Sequence, residues 1–430
     1  MPPRGGVRSA AAVLAFLLAV LPAQPGCTRA ERGVTVEFWT LQLSPAFDGY
    51  FRDLVAEYES LRPGVTVRWV DIPYDGSVQK LFAAAAAGEP PDVVNMSADF
   101  LSRLASLRAF EDLSAVLPPE SLALFLPNAL EVCRFGRTLP ALPWYLNTYV
   151  LIYNRDLLRA AGMSEGDVPA TYAGLAAFVR RYRERGGGFG FYWNLGKDSQ
   201  LPIMLEAEGV PMTDSAMTRA LFNTPEGVAR VGEWVDLYRG GFLQRESIIR
   251  PGTAVIEAYQ SGSVAMVLTG PVFLERVRIN APGVYAVTGV APAPVGSTGR
   301  HELATMTLSV TAASRHKREA ADFLMFVLSA ANQTAFSRRE TTYPSVSAAL
   351  DDPFFSADDG TLAADARRVG ARTLGTATRL ARYTRHPEFV RLREIFGEAV
   401  QEACLGKKST QEALDDAAAR WDRILVGGAR

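Results

Sequence analysis

Cysteine is scarce, with three residues in 430. A fold stapled by several disulfides is therefore excluded. If Cys27 is used elsewhere, Cys133 and Cys404 remain, either paired in an oxidising compartment or left as buried free thiols. Histidine is as rare, and His301, His316 and His386 lack ligand spacing, so no metal site is expected. Neither sign of charge dominates: 45 basic against 46 acidic residues leave a net charge of −1. No global field then favours nucleic acid or an anionic membrane surface. Catalytic spacings are missing too. There is no G-x-S-x-G nucleophile elbow. "GFYWNLGK" has the wrong spacing for a phosphate loop, and "HELAT" lacks the second histidine of a zinc protease. Asp99 and Asp198 are the one carboxylate pair open to a glycosidase reading, and nothing in the sequence positions them for it. The expectation is a chain without enzymatic activity or cofactor. Internal repeats and long charge blocks are absent as well.

Only Ala10–Leu21, "AAAVLAFLLAVL", is strongly apolar. It falls short of the about 20 residues a spanning helix needs. Arg4 and Arg8 precede it, and Gly26 stands before Cys27. This order resembles a bacterial lipoprotein signal, which implies an acylated Cys27 at the mature N-terminus. Gln24 and Pro25 replace the leucine and small residue usual there, and an ordinary cleaved signal is the alternative. Either way the rest of the chain is expected to be exported, periplasmic or at the cell surface.

With 430 residues, 48% of them hydrophobic, the chain can bury large cores in two or three domains. "VTVEFWT", "VTVRWVDIP" and "DVVNMS" read as strands. Between them, "AFDGYFRDLVAEYESLRPG" and "DGSVQKLFAAAAAGEPP" read as helices ended by Gly and Pro. Strand, helix, strand, helix, strand predicts a parallel sheet covered by helices, with ligands beyond the C-terminal strand ends. Thr224-Pro225 and Ser409 with Glu412 mark later helix starts.

Eight segments in order resemble the family 1 extracellular solute-binding proteins, the sugar-binding components of ABC importers. They run from "FWT…YFRDLVAEYESLRPGVTVRWVDIPYDGSVQKLFAAAAAGEPPDVV" through "LPALPWYLNTYVLIYNRDLLRAAGM", "FNTPEGVARVGEWVDLYRGGFL", "YQSGSVAMVLTGP" and "GVAPAP" to "TLSVTAASRHKREAADFLMFVLS", "TTYPSV" and "CLGKKSTQEALDDAAARW". The resemblance implies a two-lobed α/β periplasmic-binding-protein (type II) fold. Each lobe would be a mostly parallel sheet flanked by helices, with a hinge between lobes. Expected divisions are a signal segment 1–27, a first lobe 33–145 plus 303–348, and a second lobe 146–302 plus 349–430. A monomer would capture a sugar or polyol and deliver it to ABC permease subunits, tethered to the membrane by lipid alone. Service to a sensor or another secreted complex is the alternative, as is a glycerol phosphate or other non-sugar ligand.

A sugar site needs aromatic planes for ring faces and amides or carboxylates for hydroxyls. Matching the family's cleft positions gives Trp39 at the end of the first strand, Gln42 after it, and Asp99 past the third strand. Trp144, Tyr145 and Asn147 would enter the first hinge. Trp193 and Asp198 come from the aromatic loop "FYWNLGKDSQ". Gly270 and Phe273 fall at the family's Gly-x-Trp place, and Tyr343 at a loop reaching the cleft. Plainer roles stand beside these: Trp39 packed under a helix, Asp99 as a helix N-cap, Trp193 as lobe core. Thr305 and Met306 replace a family glycine and tryptophan, which removes an expected ring and stiffens the second hinge.

Overall fold

The computed structural model describes residues 33–74, 76–250 and 254–427. The lipidation expected at Cys27 lies outside them. The first alternating stretches become β1 (Val34–Leu41), β2 (Val65–Ile72) and β3 (Val93–Ser97). Helices Asp48–Leu61 and Ser77–Ala86 make the two returns. β1 lies between β2 and β3 and runs parallel to both, as the strand–helix alternation predicts. The remaining strands are β4 (Leu142–Thr148), β5 (Val150–Asn154), β6 (Phe189–Phe191), β7 (Val264–Thr269), β8 (Thr288–Pro292), β9 (His301–Val310), β10 (Tyr343–Pro344) and β11 (Ala377–Thr378).

Among the described residues these strands build two sheets. One has seven strands, in the order β10-β4-β9-β3-β1-β2 with β11 beside β9; the other has four, β6-β7-β5-β8. β9 enters the first sheet antiparallel to β3 and β4. In the second, β6 is parallel to β7, and β5 is antiparallel to β7 and β8. Helices cover β3 and β5, whose residues are buried throughout, so neither alternates in polarity. The chain passes between sheets at Tyr149, the one residue separating β4 from β5. It returns through 293–300 and leaves again after β10, where helix Leu362–Thr373 packs on β8.

Each sheet has its own core. Phe38, Phe51, Trp144 and Phe336 belong to the first, Trp193, Trp234 and Trp421 to the second. Burying a side chain of this size contributes about 1.5–3 kcal/mol. The predicted helix starts form. Thr224 Oγ1 accepts from the Gly227 N–H at 3.3 Å, with Pro225 in the first turn. Ser409 and Glu412 cap each other, the Ser409 N–H donating to the carboxylate at 2.9 Å and the Glu412 N–H to the hydroxyl at 3.2 Å. Cys133 and Cys404 are free thiols buried in different cores, so the disulfide alternative falls. Among the described residues no helix is long and apolar enough to cross a membrane.

Candidate functional site

A cleft of about 320 Å³ opens between the two sheets. Three chain passages build it. The end of β3 and the start of helix Ala98–Ser106 bring Ser97 and Asp99. The crossing from β4 to β5 brings Asn147 and Tyr149, and β9 adds Glu302 to Met306. From the second sheet's side come Asp198, Ser199 and Gln200, with Arg379, Tyr383, Thr384 and Arg393 beside them.

Both arginines are already engaged. Arg379 is buried; its Nη2 donates to Asp99 Oδ1 at 2.6 Å, its Nη1 to the Ala98 carbonyl at 3.2 Å. Its Nε donates to Thr384 Oγ1 at 2.8 Å. Arg393 Nη2 lies 3.2 Å from Asp198 Oδ1. Helix Phe389–Cys404 carries Arg393 and lies against the Asp198 loop because Gly397 has no side chain: a Cβ there would meet the Gly196 carbonyl at 2.4 Å. Glu302 Oε2 accepts from the Leu380 N–H at 2.7 Å. Burial pushes the Glu302 carboxyl up to about 8; that backbone bond and nearby Arg379 only partly oppose it. The acid is therefore mostly neutral at pH 7 and can donate as well as accept. Burial likewise pushes the Tyr149 phenol up to about 12, with Glu302 and Asp99 adding to the effect. Asn147 Oδ1, Ser97 Oγ and Thr305 Oγ1 are buried and have no hydrogen-bond partner among the described residues. The cleft thus offers hydroxyls, amides, a neutral acid and two internal ion pairs. Such groups recognise a ligand rich in hydroxyls.

Asp99, Asn147 and Asp198 are the sequence candidates that line this cleft. The others are placed elsewhere. Trp39 is buried in the first core, its indole N–H on Glu37 at 2.6 Å and Lys80 over its ring. Gln42 is exposed at the turn after β1, with a φ of 54°. Trp144 is fully buried against Phe38, Phe51 and Phe336. Tyr145 stacks on Phe336 at 4.9 Å. Trp193 stacks on Trp234 at 4.8 Å and faces only a cavity of about 10 Å³ that adjoins the cleft. Gly270 follows β7 and is buried; Phe273 is 36% exposed outside the cleft lining, under Arg276. Tyr343 is buried, its hydroxyl donating to the Arg367 carbonyl at 3.0 Å. None of these eight lines the cleft; they are packed in the cores or exposed elsewhere. Thr305 and Met306 both line the cleft. No local sequence pattern marks Tyr149 at the crossing, Glu302 on β9, Arg379 after β11 or Arg393 on a distant helix.

The model of the bacterial extracellular solute-binding proteins matches residues 44–334. A proposed oligosaccharide periplasmic-binding protein from Synechococcus sp. MITs9220 is 35% identical; the alignment covers 92% of this chain and 100% of that one, with a TM-score of 0.83. An uncharacterized lipoprotein from the oleD 5′ region of Streptomyces antibioticus is 28% identical over 81% of this chain and 78% of its own length. The GacH receptor of Streptomyces glaucescens, solved with acarbose, shares the fold: the TM-score is 0.74 at 24% identity, over 91% of this chain and 98% of that one.

Proposed function

The chain belongs to the bacterial extracellular solute-binding proteins, substrate-binding components of ABC importers for sugars, and from that premise we propose how this member works. Its ligand is a small saccharide or polyol seated between the sheets, against Asp99 on one side, Asp198 and Gln200 on the other, and Asn147 at the crossing between them. The lobes are 33–145 with 303–348, and 146–302 with 349–430. The protein acts as a monomer without catalysis, is held at the membrane through an acylated Cys27, and hands its ligand to the permease.

The observation that carries the reading is the pairing inside the cleft. Asp99 and Asp198 each hold an arginine, so hydroxyls meet oriented acceptors and donors without a surplus charge. A phosphate in the same place would have to displace a carboxylate from Arg379 or Arg393, which disfavours glycerol phosphate. Isothermal titration against a panel of mono- and oligosaccharides, with glycerol 3-phosphate as the charged competitor, tests this. A saccharide should bind, and Gln200→Ala and Asp198→Ala should each weaken it about tenfold, the equivalent of about 1.4 kcal/mol. Binding of glycerol 3-phosphate alone would overturn the assignment.

A further inference from the structure

Arg379 faces two cavities. One is the cleft; the other, about 560 Å³, lies on the far side of the segment that carries it. Arg300, Arg382 and Arg385 also line this second cavity, and none of the three lines the cleft. Its walls come from both halves of the molecule: Glu131 on helix Pro127–Val132, and Glu206 on helix Leu201–Ala207.

The cations there are not paired one to one with the anions. Arg379 is committed to Asp99. Arg385 Nη2 donates to the Glu131 carbonyl at 3.1 Å but has only a long contact of 3.7 Å to the Glu131 carboxylate, which also lies 3.8 Å from Arg134. Arg385 Nε is buried without a partner among the described residues. Arg300 and Arg382 are exposed to the cavity, and neither has an ion pair among the described residues. On the acidic side, Asp214 is used locally, accepting from the Thr218 and Arg219 N–H groups at 2.6 and 3.0 Å. Glu206 accepts from the Met212 N–H at 3.0 Å. Burial pushes its carboxyl up to about 7, with that bond and Arg382 opposing, so near neutral pH it carries only part of a charge. Burial, then the neighbouring Arg379, pulls Arg385 below the usual guanidinium range, with Glu131 opposing and Arg382 adding to the effect.

We propose that this cavity is a second binding site, for a phosphate group, held by Arg300, Arg382 and Arg385 through charge-assisted hydrogen bonds. Planar guanidiniums offer paired N–H donors that suit a tetrahedral oxyanion, and the Arg385 Nε–H is a donor left over for it. The cavity has room for more than the bare anion, so the phosphate arrives free or on a small organic molecule.

The mature protein, titrated calorimetrically at fixed ionic strength with inorganic phosphate and separately with glucose 6-phosphate, tests the site. Arg300 and Arg382 are exposed, so the double variant R300Q/R382Q keeps the fold; its thermal transition confirms this. Saturable one-to-one binding is expected, weakened at least tenfold in R300Q/R382Q and unchanged in Asp198→Ala, which alters only the cleft. Tighter binding of glucose 6-phosphate than of phosphate identifies a phosphorylated organic ligand; the reverse identifies the free anion. No saturable binding of either probe, equal binding by R300Q/R382Q, or loss in Asp198→Ala overturns the second site.

Discussion

Glu302 is where a single proton matters most. It lies in the wall of the cleft on β9, with a folded pKa of about 8 against an ordinary value of 4.5. Between those two values the folded chain keeps a proton that the unfolded chain has lost. Stability then falls as pH rises through that window, by at most ~1.4 kcal/mol per pH unit from this group. Glu302→Gln removes the dependence, so its melting temperature relative to wild type should climb from pH 5 to pH 8.5. Glu206 titrates in the same range, but its contribution is common to both proteins and cancels in the difference. A difference that stays flat across the range would place the Glu302 carboxylate in its charged form. At this scale the sequence was partly legible. Along β4, Trp144 and Leu146 are fully buried while Tyr145 and Asn147 are half-buried, the period-two alternation of a strand. Applying that alternation separates Trp144 from Asn147, although composition alone treats both as ligand groups. Glu302 was not legible, because its burial depends on the 379–384 segment folding over β9, far away in the chain.

Helix Phe389–Cys404 shows how an element carries the site without holding most of it. It contributes Arg393 to the cleft and Phe389, Leu392, Phe396 and Val400 to the second core. Its position against the Asp198 loop depends on Gly397, where a methyl would lie 2.4 Å from the Gly196 carbonyl and 2.6 Å from the Lys197 Cα. Both are backbone atoms, so no rotamer change relieves the clash. Gly397→Ala should therefore cost about 1–3 kcal/mol of stability, the scale for overpacking a filled interior. It should also weaken ligand binding by moving Arg393 away from Asp198. Chemical denaturation and titration together check this; a variant as stable as wild type with unchanged affinity would show that the helix can shift freely. The elements themselves were mostly legible, since capping residues and apolar spacing are local. Thr224-Pro225 and the Ser409–Glu412 pair start helices where the sequence placed them. The direction of β9 was not, because antiparallel entry into a sheet is decided by which edge a distant strand reaches.

Over the whole molecule, two cores with separate aromatic clusters face the cleft, and a smaller cluster joins Val132, Leu146 and Leu303 to Phe355, Leu374 and Ala377. Phe100 packs against both cores, its ring 6.4 Å from Phe389 on one side and 5.5 Å from Tyr74 on the other. A ligand touching one half binds open and closed forms alike and shifts neither. One that bridges Asp99 and Gln200 favours closure, because those groups approach each other only when the halves do. Moving a population from 1:99 to 99:1 needs about 10⁴-fold preference for the closed form. The Phe100–Phe389 contact lowers that demand by the about 0.5–1.5 kcal/mol of an aromatic pair. Phe100→Ala should therefore bind the saccharide about two- to tenfold more weakly, yet reach the same compact shape at saturation. Small-angle scattering read as radius of gyration against ligand concentration distinguishes the two effects. Wild type should contract on binding, and Phe100→Ala should contract equally but at higher ligand concentration. Tight binding without contraction in the wild type would mean that the ligand engages one half alone, leaving the fold intact and the bridging site wrong.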